Sequence, residues 1–348
     1  MYATFRLGRF SRQLRPRAQL AIAGLAVLLA AVFVASIATG STTMPLARVV
    51  DALLGNGPRT DQLIIGQFRL PRTLQAAQAG ICLAVAGVLL QRATRNPLAS
   101  PGVLGVVDGA GLGAVLFLTA FGDGGGAPTV GAHWQPLAAL LGGLALVAAV
   151  FLLARGQAAP VRLILFGMAL AALAKAGITL LLVVGPIHRA SQAMHWLAGA
   201  VNTATWAEVR MVAGPLVVLL CATAAMARRL DPLDLDDDTA RAAGLPAPRV
   251  RLLAVVLAAA LTAVSVAFVG GIGFVGLIAP HLARRIAGPG AGANLAAAAL
   301  LGAVMVIGAD LAVRIAFAPI EVPAGTVTAL VGAPYMLLLL TRRMRSDG

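Results

Sequence analysis

Residues 252–272, LLAVVLAAALTAVSVAFVGGI, form an apolar run without a charged side chain. At about 1.5 Å per residue, a helix of this length crosses the roughly 30 Å hydrocarbon core of a bilayer. Similar runs recur along the chain: hydrophobic residues make up 59% of the 348 residues, and charged residues only 11%. A soluble protein could not bury this much apolar surface, so the sequence predicts a protein embedded in lipid.

Ten apolar runs predict ten membrane-spanning helices. In lipid, backbone polar groups must be paired within the protein, and the sequence lacks the alternating pattern of a β-barrel. The expected fold class is therefore an all-α membrane protein, a polytopic bundle of about ten transmembrane helices. The predicted spans are 20–40, 73–91, 103–121, 136–154, 161–184, 207–227, 252–272, 274–286, 295–316 and 325–341, of which 274–286 is expected to be half-length.

The positive charges are distributed unevenly along the chain. There are 27 Lys and Arg residues, and the formal net charge is +14. When the N-terminus is placed inside, most of them fall on segments that face the cytoplasm, which is the positive-inside bias. The distribution argues against a nucleic-acid partner and predicts a multi-pass membrane protein with both termini in the cytoplasm.

Residues 1–348 are expected to form a single transmembrane domain. Residues 1–18 are predicted to be an Arg-rich cytoplasmic tail, and the apolar run behind them is too long for the core of a cleaved signal peptide. Residues 228–251 are predicted to be the longest internal cytoplasmic loop. Each stretch between spans is too short to fold alone, so no separate soluble domain is expected within the chain.

Cofactor and metal sites are not expected. Lys175 is the only lysine, so the phosphate-binding pattern G-x-x-x-x-G-K-[ST] is absent, and this chain is not expected to bind ATP itself. The two Cys and four His residues show no metal-ligand spacing, and no catalytic arrangement lies at depth, which argues against an intramembrane enzyme. An ion-coupled secondary transporter is the alternative class, but it would need acidic residues in mid-span, and Asp108 and Asp310 lie near span ends.

Three motifs carry a resemblance to known proteins: Arg69-Leu70-Pro71-Arg72, RNPLASP at 95–101, and GFVGLIAPHLAR at 273–284. They resemble the FecCD/BtuC-like permease subunits of bacterial type II ABC importers for iron-siderophores, haem and cobalamin, and related stretches extend from about Leu20 to Arg343. The resemblance implies a BtuC-like fold in the bacterial inner (plasma) membrane. It implies as partners cytoplasmic ATPase subunits, which would hold ATP and Mg, together with a periplasmic or lipoprotein substrate-binding protein and a second permease copy or paralogue. The cargo it implies is a ferric siderophore or similar iron chelate, with haem or cobalamin as alternatives.

Residues 236–246 predict a short cytoplasmic helix. Carboxylates stand at its N-terminal end, alanines inside it, a glycine at its C-terminal cap, and a proline beyond it. The segment resembles the coupling motif that docks onto the ATPase in this family, although Asp236-Asp237 stand where the family usually has Gly-Glu. The residues expected to couple to the ATPase are Asp236, Asp237, Ala240, Arg241, Ala243, Gly244 and Leu245.

Three arginines are expected at the outer rim: Arg69 and Arg72 just before the second span, and Arg314 near the end of the ninth. By resemblance they match positions that receive acidic side chains of the binding protein, a role that suits the bidentate guanidinium. The competing interpretations are anchoring of a helix end for Arg69 and Arg72, and a local pair with Asp310 for Arg314.

Lys175 lies within the fifth span, where an unpaired ammonium costs roughly 2.5–3.5 kcal/mol on insertion scales. It is therefore expected to face protein or water. One hypothesis is that it lines the translocation cavity and favours an anionic ferric chelate; the alternative is a paired or snorkelling lysine without substrate contact. Asp108 is expected to pair with Arg92 or Arg95 or to cap its own helix. The other pathway or gating candidates are Asn96, Pro97, Pro280 and His281.

Overall fold

The computed structural model describes residues 3–7, 10–14, 16–40, 43–121, 130–154, 160–235, 237–242, 244 and 246–346. Over these ranges the chain is almost entirely helical. The α-helices are α1 (Pro16–Ala38), α2 (Leu46–Leu53), α3 (Arg59–Leu63), α4 (Leu70–Thr94), α5 (Val106–Phe121), α6 (Gln135–Leu153), α7 (Pro160–Val184), α8 (Ile187–Leu197), α9 (Trp206–Leu230), α10 (Asp237–Ala242), α11 (Ala247–Val269), α12 (Val275–Ala287), α13 (Ala291–Ala316) and α14 (Ala324–Ser346).

Each of the ten predicted spans coincides with one of these helices. Within the described ranges, seven helical stretches are long and apolar enough to cross a membrane, and α5 and α14 contribute shorter apolar helices. The half-length span predicted at 274–286 is α12, which has 13 residues. The predicted all-α membrane bundle is confirmed. We call its two ends the outer and inner ends, following the predicted topology.

The structure adds elements that the hydropathy pattern did not predict. A two-stranded antiparallel hairpin precedes α1, with β1 (Ala3–Leu7) paired to β2 (Phe10–Leu14). Short helices α2, α3 and α8 lie between spans. A π-helical segment, Ile64–Arg69, joins α3 to α4, so the second span is one helical stretch from Arg59 to Thr94. The expectation that Arg69 and Arg72 lie just before the second helix was therefore wrong.

α4 is the central helix of the bundle. It is largely buried and packs against α9, α11, α12 and α13, whereas α1, α6, α7 and α9 leave most of their apolar surface exposed. A second group forms where α5 packs against α6 and α7. Charged segments at both ends of α4 are thereby placed within reach of several other helices.

Small residues allow the closest helix contacts. A Cβ added at Gly80 of α4 would overlap the carbonyl oxygen of Gly302 on α13, and one added at Gly302 would overlap the carbonyl oxygen of Gly80. On the α12 side, a Cβ at Gly276 would lie 2.7 Å from Pro101 Cδ and 2.8 Å from the Leu83 carbonyl oxygen. These approaches explain the abundance of glycine within the spans, since lipid supplies no hydrophobic force to hold helices together.

We expect Gly302→Ala to lower the free energy of unfolding by roughly 1–3 kcal/mol, because the new methyl group forces α4 and α13 apart. Gly308→Ala is the matched control on the same helix, since nothing lies within 4 Å of its added Cβ. That control should be neutral or stabilising by up to about 1 kcal/mol. Thermal unfolding of the two purified variants in detergent measures the difference, and equal midpoints would contradict this account of the α4–α13 contact.

Candidate docking, coupling and pathway sites

Two of the predicted docking arginines cap the outer end of α1. Arg69 Nη1 donates to the carbonyl oxygens of Ile37 at 2.9 Å and Ala38 at 3.1 Å. Arg314 Nη2 donates to the Ser36 carbonyl oxygen at 3.2 Å and to Ser36 Oγ at 2.6 Å. The last carbonyls of a helix have no partner within it and carry partial negative charge, so guanidinium groups from α13 and from the start of the second span fit there.

The third arginine shares a buried carboxylate with Arg314. Arg72 Nε and Nη2 donate to Asp310 Oδ1 at 3.0 and 2.8 Å, and Arg314 Nε lies 3.1 Å from Asp310 Oδ2. The Asp310 side chain is 3% exposed. Arg72 Nη1 also lies 3.5 Å from Oε1 of the half-exposed Glu321. The cluster thus ties α4 to α13 at the outer end.

These contacts bear on the docking prediction without testing it. Arg69 is buried, and the side chains of Arg72 and Arg314 are only 12% and 10% exposed. The pair of Arg314 with Asp310 one turn earlier, raised as an alternative, is present in the structure. Docking by the three arginines stays a prediction. Their contacts in the structure also hold α1, α4 and α13 together.

At the inner end, the predicted short helix is present as α10 (Asp237–Ala242). Ala240 is fully buried, and Gly244 beyond the helix has a left-handed backbone with φ +76°. Pro246 then starts α11 as its N-cap residue. Among the other predicted coupling residues, Asp236, Ala243 and Leu245 lie outside the described residues, as do the side chains of Asp237 and Arg241.

A tight turn, Asp231–Asp234, joins α9 to this coupling segment and binds a buried arginine. Arg92, in the last turn of α4, is 2% exposed; its Nη1 lies 3.2 Å from Asp231 Oδ1 and 3.2 Å from Asp234 Oδ2. Its Nη2 donates to the Pro289 carbonyl oxygen. Asp231 Oδ1 also accepts a 2.7 Å hydrogen bond from the backbone of Ala291, the first residue of α13.

Lys175 and Asp108 form a pair between α7 and α5. Lys175 Nζ lies 3.6 Å from Asp108 Oδ1, with the lysine side chain 69% exposed and the aspartate side chain 17% exposed. The expectation that Asp108 pairs with Arg92 or Arg95 was wrong, because α7 packs against α5 and brings Lys175 to it, while Arg92 turns toward Asp231 and Asp234. An exposed lysine in mid-span requires water or protein beside it.

The other pathway candidates lie in the turn after α4 and within α12. Asn96 is exposed, and its Oδ1 accepts a 2.9 Å hydrogen bond from the backbone of Leu98, while Pro97 is half-buried in the same turn. Pro280 is buried within α12. The ring of His281 meets that of Tyr335 on α14 edge-on, with ring centroids 6.2 Å apart. The ring contact between His281 and Tyr335 connects α12 to α14. A gating role for these residues stays a prediction.

Two features of the sites are not predicted from the sequence. Asp231 and Asp234 bind Arg92, and the only sequence signal for this contact is the pair of carboxylates around Pro232, just before the coupling helix. Phe274 adopts a left-handed conformation, with φ 64°, at the start of α12. No sequence signal marks that strain. Among the residues that the structure describes, no three His, Cys, Asp or Glu side chains are close enough together to hold a metal ion.

Comparison with known proteins agrees with this architecture. The model of the FecCD transport family matches residues 28–342. A solved inward-facing ABC transporter of the metal-chelate type superposes with a TM-score of 0.83 at 30% identity, covering 93% of this chain and 99% of the other. The fold and the motifs therefore define a multi-pass transport permease with a BtuC-like fold.

The chain belongs to the FecCD transport family. It is 42% identical over 320 residues to the probable siderophore transport system permease protein YfhA of Bacillus subtilis, covering 92% of this chain and 93% of the relative. It is 38% identical over 340 residues to the achromobactin transport system permease protein CbrC of Dickeya dadantii, covering 97% of this chain and 96% of that relative. It is 37% identical over 308 residues to the ferric enterobactin transport system permease protein FepG of Escherichia coli, covering 88% and 91%.

Proposed function

We propose that this protein is the transmembrane permease of an ATP-driven importer that carries a ferric siderophore or similar iron chelate into the cytoplasm. The observation that carries the proposal is that relatives matched over nearly their whole length are named as siderophore, achromobactin and ferric enterobactin permeases. Haem and cobalamin are the alternative cargoes. Purifying the protein with its binding protein, and measuring which chelate that protein binds, tests the cargo.

The proposed arrangement places the protein in the bacterial inner membrane with both termini in the cytoplasm. The ATPase then docks at the inner end on α10 and the segment around Gly244, and supplies ATP and Mg. A second permease, either another copy or a paralogue, completes the pathway. A periplasmic or lipoprotein binding protein delivers the chelate at the outer end. The inner-end clustering of Arg92, Arg284 and Arg285 supports this orientation through the positive-inside rule.

Binding-protein docking is proposed at the outer cluster of Arg69, Arg72 and Arg314, beside Glu321. The arginines already hold helix ends together, so an acidic side chain of the partner would contact their remaining exposed edges. Each such pair adds only about 0.2–1 kcal/mol. The cluster would therefore orient the binding protein and speed its encounter more than it would strengthen the complex.

Lys175 is proposed to line the pathway and attract an anionic chelate. Lys175→Ala should lower uptake of an anionic ferric chelate about fivefold, because one charge pair near 4 Å in water is worth roughly 1 kcal/mol. Lys175→Arg is the matched control and should keep most of the uptake, and import of an uncharged chelate should be the same in all variants. Unchanged uptake of the anionic chelate in Lys175→Ala, at normal expression, would refute the pathway role.

A further inference from the structure

The junction at the inner end of the bundle connects the coupling segment to three helices at once. The turn Asp231–Asp234 precedes α10 by only two residues. Its carboxylates contact Arg92 of α4, and Asp231 also accepts from the backbone at the start of α13. Arg284, in the last turn of α12, lies 3.3 Å from Asp234 Oδ2.

The charged centre of the junction is buried. The Arg92 side chain is 2% exposed, so its charge depends on the two carboxylates for compensation. Leu230, just before the turn, and Leu233, within it, are fully buried, and Arg95 Nε donates to the Leu233 carbonyl oxygen at 2.9 Å. If the turn moved away from α4, Arg92 would be left buried without its carboxylates, so the turn and the end of α4 are expected to move as one body.

Movement of the end of α4 also reaches α12. The chain leaves α4 at Thr94 and enters the turn that contains Pro101, whose ring packs against Gly276 of α12. Arg92 additionally binds the Pro289 carbonyl oxygen, in the link between α12 and α13. A displacement of the coupling segment is therefore passed to α12 by two routes that start at Arg92, beside the direct contact of Asp234 with Arg284.

We propose that Arg92 is a positioning residue that transmits movement of the ATPase-docked coupling segment to α4, α12 and α13, through its ion pairs with Asp231 and Asp234. The proposal rests on the proposed function as an ATP-driven permease. It goes further by naming the buried side chain through which the coupling segment holds the end of α4. Loss of its charge should uncouple hydrolysis from import and leave ATPase docking intact.

The test uses the complete transporter in vesicles, with its ATPase and binding protein, and measures ferric chelate imported per ATP hydrolysed. Arg92→Gln should copurify with the ATPase and keep basal hydrolysis, while import per ATP falls at least tenfold. Arg92→Lys should recover part of the ratio, since lysine keeps the positive charge. The recovery should be incomplete, because lysine lacks the planar guanidinium that reaches both carboxylates. Arg285→Gln is the matched control, because Arg285 is exposed and adjacent to Arg284 in sequence. This variant should leave the ratio unchanged.

Asp234→Asn provides an independent variant should Arg92→Gln fail to fold. The Asp234 side chain is 30% exposed and asparagine has the same shape, so the protein should fold. Import per ATP should fall severalfold, because Arg92 loses one of its two carboxylates. An unchanged ratio in well-folded Arg92→Gln or Asp234→Asn would overturn the proposal, as would loss of ATPase binding in Arg92→Gln. Failure of the unsubstituted transporter to import with ATP would instead reject the proposed function.

Discussion

Gly244→Val is expected to reduce ATP-driven chelate uptake about 5- to 30-fold. Gly244 has φ +76°, a conformation that costs a residue with a side chain roughly 1–2 kcal/mol. That cost lowers the equilibrium constant for forming the correctly shaped coupling segment by about 5- to 30-fold, which sets the size of the expected loss. β-branched valine is among the least suited residues for this backbone. Uptake into vesicles holding the complete transporter measures the effect.

Gly244→Asn is the matched control, because asparagine adopts the left-handed conformation more readily than other residues with side chains. Among the residues that the structure describes, nothing lies within 4 Å of a Cβ added at this position, so neither variant should disturb the packing of those residues. Uptake should therefore remain high in Gly244→Asn and fall in Gly244→Val, with equal amounts of permease in the membrane. Equal uptake in the two variants would show that the backbone at Gly244 does not shape the ATPase contact.

The second large effect concerns the outer cluster. Asp310→Ala is expected to lower the free energy of unfolding by about 3–5 kcal/mol, because it leaves the guanidinium groups of Arg72 and Arg314 buried without their shared carboxylate. Asp310 is 3% exposed and lies 2.8 Å from Arg72 and 3.1 Å from Arg314. Thermal unfolding in detergent should show a markedly lower midpoint.

Glu321→Ala is the control for this cluster. Glu321 also faces Arg72, but at 3.5 Å and with its side chain 59% exposed. Exposed ion pairs contribute about 0–1 kcal/mol, so this variant should unfold close to the unsubstituted protein. If Asp310→Ala were as stable as Glu321→Ala, the buried carboxylate would not hold the outer ends of α4 and α13 together.

The membrane spans were predictable from sequence because hydropathy is a local property. A window of about twenty apolar residues must be helical in lipid, wherever it lies in the fold. The same reasoning did not predict that residues 59–69 are helical, because their polar side chains lower the hydropathy of that window. In the structure, Trp206 Nε1 donates to the Gly66 carbonyl oxygen at 2.6 Å and Arg69 binds the end of α1. Those partners are distant in sequence, so a local window could not indicate them.

The charge pairs were the least predictable part of the sites. Asp108 lies close in sequence to Arg92 and Arg95, yet it pairs with the distant Lys175. The reason is that α5 packs against α7. Arg92 finds Asp231 and Asp234 through the position of α9 beside α4. Sequence shows which spans carry charges, whereas helix packing decides which charges meet.

The most direct test of the account is ferric siderophore uptake into vesicles that contain either this permease alone or the permease with its ATPase and binding protein. We expect the permease alone to accumulate no chelate against a gradient, even when a proton gradient is imposed. The complete set should accumulate it only when ATP is supplied on the side of the 228–251 loop. Uphill accumulation by the permease alone would contradict the account, because this chain would then power transport without ATP.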